Sequence, residues 1–141
     1  MITQGLTTIF KQNCLSGLEN FAAGTSYVYK IALYTALANL GYETTEYTTD
    51  GEISGTGYTP GGEELQNPTV NTSGQTAYVS FDNAVWNPAN FTARGALIYN
   101  GTTNAAVAVL DFGSDKTNTA AGTFTVTFPT ATSTSAIIRV N

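Results

Sequence analysis

Carboxylates are the side chains of this sequence that come nearest to a set able to do chemistry. The chain has no His, so Ser–His and Cys–His nucleophile pairs and the common His-containing zinc sites are absent. Glu63 and Glu64 are neighbours that would point to opposite faces of a strand, whereas the two carboxylates of a glycosidase face one substrate. Glu43 and Glu46 lie in a Thr-rich loop. We therefore expect solvated surface carboxylates and no enzymatic activity.

The sequence motifs do not indicate a metal-binding or nucleotide-binding site. Asp111 and Asp115 could share a cation, but Ca²⁺ takes about six to eight oxygen ligands and the EF-hand spacing is missing. An Asx-type turn is the expected role of these residues. Residues 55–62 depart from the GxGxxG motif because Pro60 stands at the third glycine position, and no helical pattern follows. The sequence predicts no cofactor and no metal.

The same glycine-rich segment has a second interpretation as a contact loop. It reads Gly-Thr-Gly-Tyr-Thr-Pro-Gly-Gly, and glycine permits positive φ angles and close approach of another backbone. A tight turn or the surface of a partner would demand such a shape. We predict that this loop contacts a partner through Gly55, Gly57, Tyr58, Gly61 and Gly62.

Trp86 is the main candidate for an aromatic binding platform. It has Tyr78 and Phe81 near it in sequence, and such rings can form a platform for carbohydrate. In a β domain with inward-facing Phe residues, however, these rings more often belong to the core. We expect Trp86 to be buried, and burial would remove the best candidate for sugar binding.

The charge of the chain opposes binding to nucleic acid and to anionic membranes. Its 10 Asp and Glu against 5 Lys and Arg give a net charge of −5, which disfavours the counterion release that drives most nucleic-acid binding. No apolar run approaches the roughly 18 residues that span a bilayer, and no basic segment precedes an apolar one at the N-terminus. We expect a soluble protein that is made and used without Sec export. The single Cys14 cannot form an internal disulfide.

The elements that would position these residues begin with a helix. Between Gly5 and Phe21 the apolar residues recur at spacings of three and four, which predicts one amphipathic helix that Gly17 weakens. This helix would either cover one end of the β core or dock on another protein. We treat residues 1–24 as an N-terminal helical arm.

From Tyr27 onward the period changes to two, which is typical of strands. Alternation is complete at residues 122–128, where Phe124, Val126 and Phe128 would point inward. Asn100-Gly101 between two apolar segments predicts a hairpin over residues 94–112. The other predicted strands are residues 27–34, 76–81 and 136–140, with shorter ones near 52–53, 64–70 and 84–86.

About eight strands with one apolar face each require two packed sheets or a closed barrel. The abundant Thr suits strands, and Asn and Gly suit the turns between them. We predict a single all-β domain over residues 1–141. Residues 25–141 would form a two-sheet, jelly-roll-like sandwich of about eight strands, preceded by the N-terminal amphipathic helix.

Six segments form an ordered series that covers most of residues 27–140. They are KIALYT (30–35), GEISGTGYTPGG (51–62), TARGALIYN (92–100), AVAVLDFGSDK (106–116), GTFTVTFP (122–129) and AIIR (136–139). In this order the series resembles the jelly-roll capsid decoration proteins, also called cement proteins, of tailed bacteriophages.

The resemblance implies a structural virion protein that is made in the bacterial host cytoplasm and located on the outer capsid surface. Its partners would be the major capsid protein, whose subunit contacts it would stabilise, and further copies of itself on the capsid. Neither nucleic acid nor membrane is implied as a partner. Small jelly-roll domains also occur as phage neck, collar, tail or fibre components and as carbohydrate-binding modules, and these roles are the alternative.

Overall fold

The computed structural model describes residues 1–141 as eight strands and one helix, α1 (Thr8–Leu15). The strands are β1 (Gly5–Leu6), β2 (Tyr29–Tyr34), β3 (Glu63–Glu64), β4 (Thr69–Ser73), β5 (Thr76–Ser80), β6 (Ala84–Asn100), β7 (Ala106–Val126) and β8 (Ile138–Val140). They form two antiparallel sheets, with strand orders β1-β7-β6-β2-β3 and β4-β5-β8. The predicted all-β, two-sheet architecture with about eight strands and an N-terminal helix is confirmed.

A long hairpin, β6–β7, forms the middle of the five-stranded sheet. Its register runs from Tyr99 opposite Ala106 near the turn to Ala84 opposite Val126 at the far end. At the turn, the buried Asn100 donates its N–H to the carbonyl oxygen of Ala105 at 2.8 Å. The predicted hairpin over residues 94–112 is confirmed, and both strands extend well beyond it.

Side chains from both sheets form the larger apolar cluster, which we call the main core. Trp86 and Ile98 of β6 meet Val79 of β5 and Ile138 of β8 there. On β7, Phe124 is buried while the threonines on either side of it are exposed. The predicted alternation at residues 122–128 is confirmed, because one face of this strand packs and the other is solvated.

A smaller apolar cluster, the second core, lies on the other side of the five-stranded sheet. It contains Ala32 and Tyr34 of β2 and, from outside the sheet, Ala38, Leu40 and Ile2. β2 is therefore buried on both faces, whereas its sequence pattern had predicted one apolar face. The difference arises because chain segments outside the sheet cover its second face.

The N-terminal helix is shorter than the predicted span of residues 5–21. Thr7 caps α1 by accepting a hydrogen bond from the Phe10 N–H at 3.2 Å, and the helix ends before Gly17, whose φ angle is +72°. Phe10 belongs to the main core and makes an edge-to-face contact with Phe21 at 5.9 Å between ring centroids. Of the two interpretations, α1 covers the β core. It is not long and apolar enough to cross a membrane.

Two of the shorter predicted strands differ from the structure. At the predicted strand 52–53, Glu52 forms only an isolated bridge with Tyr34. The predicted strand 64–70 is divided between β3 and β4. Asn67 with its φ angle of +54° and Pro68, which lacks an N–H, interrupt the ladder at this point.

Candidate functional site

Residues 35–62, which we call the long connection, join β2 to β3 without a helix or strand of their own. The connection is nevertheless attached to the five-stranded sheet at several points. Ala106 donates its N–H to the carbonyl oxygen of Thr45 at 3.0 Å, and Thr56 forms a bridge with Asn90. Structureless connections longer than about 15 residues are uncommon in compact domains and are often functional. The long connection is therefore the leading candidate for a functional site.

The carboxylate of Glu52 organises the long connection. Its Oε1 accepts a hydrogen bond from the Tyr47 hydroxyl at 2.6 Å. Its Oε2 accepts from the Tyr58 hydroxyl at 2.6 Å and from the Gly61 N–H at 2.8 Å. The Tyr58 hydroxyl in turn accepts from the Leu33 N–H at 3.0 Å, which ties this cluster to β2. Hydrogen bonds to an ionised acceptor are strong, so Glu52 fixes three separate points of the connection.

Two further tyrosine hydroxyls attach the connection to the sheet. Tyr34 donates to the carbonyl oxygen of Thr48 at 2.6 Å. Tyr99 donates to the carbonyl oxygen of Gly61 at 2.7 Å, and its ring stacks on that of Tyr47 with 4.8 Å between centroids. The long connection is thus packed as an extension of the second core.

Burial makes these tyrosine hydroxyls harder to ionise than ordinary ones. Burial raises the pKa of Tyr99 to about 12, with the nearby Glu52 charge as the lesser cause. For Tyr58, burial and then the hydrogen bond to Glu52 raise the pKa well above the usual tyrosine value. The hydroxyls are therefore hydrogen-bond donors at neutral pH and are not poised to act as bases.

The glycines of the predicted contact loop lie against the protein's own backbone. Gly57 has a φ angle of +88°, and a Cβ atom there would overlap with the carbonyl oxygen of Pro88. Gly62 has a φ angle of +79°, and a Cβ atom there would overlap with the carbonyl oxygen of Ile31. Contacts within the chain therefore already require glycine at these positions.

The other predicted contact residues are also engaged within the chain. A Cβ atom at Gly55 would lie 2.7 Å from the carbonyl oxygen of Asn90, and Gly61 is buried. Tyr58 is part of the main core, where its ring meets Phe91 edge-to-face at 5.9 Å. The structure brings all five residues together in one loop whose exposed side chains are others, namely Thr56, Thr59 and Pro60. A contact between this loop and a partner stays a prediction.

The acidic residues are concentrated in the part of the chain that includes the long connection. Residues 31–93 hold seven of the ten Asp and Glu and no Lys or Arg. Glu43, Glu46 and Asp50 are exposed on the connection, and Glu43 and Glu46 line an open depression of about 310 Å³ that has no apolar lining residue. This region of the surface is therefore negatively charged.

Large apolar side chains project from the same region. Leu37 and Tyr42 of the long connection are 90% and 65% exposed, and Met1 is 84% exposed. The amino group of Met1 donates to the carbonyl oxygen of Ala38 at 3.0 Å, and the Leu40 N–H donates to the carbonyl oxygen of Met1 at 3.1 Å. Met1 therefore lies along residues 38–40 of the connection, directly after Leu37.

The other acidic residues that were candidates for catalysis or metal binding lie at separate positions on the surface. Glu63 and Glu64 are both exposed on β3. Asp111 accepts hydrogen bonds from the Gly113 N–H at 2.9 Å and from Arg94 Nε at 3.3 Å, and these contacts lower its pKa. The expected Asx-type turn is present at this aspartate. No group of three or more His, Cys, Asp and Glu side chains is placed to hold a metal ion.

Trp86 does not form a binding platform. It is only 1% exposed, and its ring makes edge-to-face contacts with Phe91 and with Phe124, the latter at 6.0 Å between centroids. The expectation that it belongs to the core is confirmed. The best candidate for an aromatic sugar platform is thereby removed.

The sequence had not pointed to Glu52 as an organising residue. It was expected only as part of a short strand, although Tyr47 and Tyr58 flank it and a glycine-rich stretch follows. These neighbours are the one feature of the local sequence that could have indicated the hydrogen-bonded cluster around Glu52. The contact between Gly61 and Tyr99, by contrast, joins residues far apart in sequence and follows no local period.

Comparisons of the chain with known protein families, with curated proteins and with solved structures found no match. Three features of the chain bear on its function. They are the packed long connection, the acidic and apolar side chains that it exposes, and the two-sheet body that carries it.

Proposed function

We propose that this protein is a capsid decoration protein of a tailed bacteriophage, which binds the outside of the head and stabilises contacts between major capsid protein subunits. The proposal begins from the segments that resemble this family. They fall on β2, on residues 51–62 of the long connection, on β6 and β7, and at β8. The resemblance therefore covers the three central strands of the five-stranded sheet, the glycine-rich end of the connection packed on it, and β8 of the other sheet.

The observation that carries the proposal is the ordered, acidic long connection on a two-sheet body. A decoration protein has to present a fixed surface to a shell that is already assembled. The Glu52 hydrogen bonds hold the connection in one arrangement before any partner binds. Binding then costs less ordering of loops and side chains, which favours affinity.

The charge of the chain also suits a role on the outside of a capsid. A net charge of −5 keeps the free protein soluble and repels the nucleic acid that fills the host cell. The role needs no catalytic group, cofactor or metal. The partners on this proposal are the major capsid protein and neighbouring copies of the same chain.

The mechanism is mechanical. Each copy would bridge neighbouring capsid subunits, so that separating those subunits breaks contacts on both sides of the bridge. Many modest contacts summed over a closed shell give a large effective avidity. Because the bound protein favours the assembled state only, it shifts the equilibrium toward the intact head.

Heads purified without this protein provide the test. Added protein should saturate them at a near-stoichiometric ratio to the capsid subunit and should raise the temperature at which they break open. Sedimentation with quantitative gel densitometry measures the ratio, and a thermal scan of DNA release measures the disruption. The same heads without added protein are the control. If the protein instead co-purifies with neck, collar or tail complexes at a few copies per particle, the decoration role is wrong and the alternative is favoured.

A further inference from the structure

We infer that one surface of the long connection docks a protein whose contact patch combines apolar and basic side chains. We call this surface the acidic face, and it consists of Met1, Leu37, Tyr42, Glu43, Glu46 and Asp50. The inference rests on the proposed function for the identity of the partner, which is then the major capsid protein. It goes beyond that function by naming the surface and the chemistry of the contact.

The apolar part of the acidic face cannot turn inward. Ala38 and Leu40, which follow Leu37 in the chain, already fill the second core, each 2% exposed. The carbonyl oxygen of Ala38 and the N–H of Leu40 both bond to Met1, so the backbone here is fixed. Leu37 is therefore 90% exposed to solvent. Burying its apolar side chain against a partner would lower the free energy of the complex through the hydrophobic effect.

The charged part of the acidic face determines which partner fits. Glu43, Glu46 and Asp50 are exposed, and the single ion pair of the protein joins Arg94 to Asp111 elsewhere. With no Lys or Arg between residues 31 and 93, the one cationic group within the acidic face is the Met1 ammonium, so its three carboxylates leave the face with a net negative charge. Such a surface attracts and orients a basic partner and rejects an acidic one.

A second copy of this chain does not offer the required basic patch. Its five basic residues stand on five different elements, as Lys11, Lys30, Arg94, Lys116 and Arg139. On the β6–β7 hairpin the two basic residues have acidic neighbours, because Arg94 is paired with Asp111 and Lys116 follows Asp115. The charges therefore favour a different protein as the occupant of the acidic face.

Matched variants test the inference on heads that lack the protein. Leu37→Ser and the double variant E43K/E46K should each weaken head binding at least tenfold, and added NaCl should weaken the wild type. The controls carry the same changes elsewhere. They are Leu15→Ser, at a residue that is 92% exposed on α1, and E63K/E64K on the exposed strand β3. Both controls should bind within twofold of the wild type.

The outcomes separate the inference from the proposed function. If the wild type binds heads and the acidic-face variants bind equally well, or if the controls weaken binding as much, the inference is wrong while the function stands. If the wild type does not bind heads, the capsid role fails and a peptide probe decides the inference. The probe is a synthetic peptide of alternating Leu and Lys, with a Leu-Glu peptide as its control.

The peptide probe is read by amide chemical shifts of the ¹⁵N-labelled protein. The Leu-Lys peptide should shift the amides of residues 37–50, and the Leu-Glu peptide should not. This result would support the acidic face as a docking surface for a basic partner other than the capsid. No shifts, or shifts centred on Glu63, Glu64 and Asp82 instead, would overturn the inference.

Discussion

The carboxylate of Glu52 and the hydroxyl of Tyr58 lie 2.6 Å apart and join the long connection to both cores of the protein. The Tyr58 ring packs in the main core, whereas Glu52 also binds Tyr47, whose ring packs against the second core. One half-buried carboxylate therefore links layers on opposite sides of the five-stranded sheet. The long connection is part of the cooperative fold rather than a loop attached only at its ends.

Replacing Glu52 with Ala should lower the free energy of unfolding by about 3 kcal/mol, because hydrogen bonds to a charged group contribute roughly 1.5–3 kcal/mol each and are not additive. The change leaves the Tyr58 hydroxyl and the Gly61 N–H without their acceptor. Urea denaturation followed by circular dichroism measures the loss. Glu43→Ala, at an exposed residue, is the control and should change stability by less than about 0.5 kcal/mol. Equal urea midpoints for the two variants would contradict an organising role for Glu52.

Gly62→Ala tests whether contacts within the chain explain the glycine-rich loop. The added Cβ would meet the Ile31 carbonyl oxygen on β2 at a φ angle of +79°, so we expect a loss of at least about 3 kcal/mol or no folded protein. Gly74→Ala in the β4–β5 turn is the control. Its φ angle is +59° with no atom within 4 Å of the added Cβ, and the expected cost is about 1–2 kcal/mol. If Gly62→Ala is no worse than the control, the glycine serves a partner and not the fold.

The parts of the fold that the sequence predicted are those governed by local rules. The alternation around Phe124 and the turn residues Asn100-Gly101 depend on neighbours in the chain, and both predictions are confirmed. The second buried face of β2 was not predicted, because Ala32 and Tyr34 are covered by residues from the long connection and the N-terminus. The covering residues do not recur at the regular spacing of a helix or a strand, so no sequence pattern could predict that they pack there.

The candidate site was predictable only in outline. The glycine-rich loop was recognised as unusual, but its glycines meet the carbonyl oxygens of Ile31 and Pro88, and no local pattern could specify those contacts. Glu52 and Tyr99 both bond to Gly61, and the Tyr99 bond joins residues that are 38 positions apart in the chain. The exposure of Leu37 likewise depends on Ala38 and Leu40 filling the second core. Each of these features is set by tertiary packing.

Trp86 provides a spectroscopic check on the main core, because it is the single Trp of the chain and is 1% exposed. Its fluorescence should be blue-shifted relative to free tryptophan and weakly quenched by acrylamide. The urea-unfolded protein is the control, in which the emission should move to longer wavelength and quenching should become strong. Oligosaccharides added to the folded protein should leave the emission unchanged. A sugar-dependent change would place the indole at a binding surface and contradict its burial.

Glu19 should make stability depend on pH in the direction opposite to most carboxylates. Its Oε1 accepts hydrogen bonds from the Tyr29 hydroxyl at 3.0 Å and from Asn100 Nδ2 at 2.7 Å, while Oε2 is buried without a partner. Burial raises the pKa of Glu19 and outweighs the two hydrogen bonds, which lower it. The folded state therefore favours the protonated carboxyl. The stability that this group contributes is fully present below the ordinary glutamate pKa and is lost as the pH rises through the raised value.

The Glu19→Gln variant isolates this effect because glutamine does not titrate. As the pH falls from 7 to 4, the wild type should gain stability relative to Glu19→Gln, measured as the difference between their urea midpoints. Asp111→Asn gives the opposite control. The hydrogen bond from Gly113 and the contact with Arg94 lower the pKa of Asp111. The stability it contributes is therefore present above the ordinary aspartate pKa and is lost only as the pH falls from about 4 toward the lowered value, which is the range in which this control is measured. If the Glu19 and Asp111 differences change in the same direction with pH, burial does not control the ionisation of Glu19.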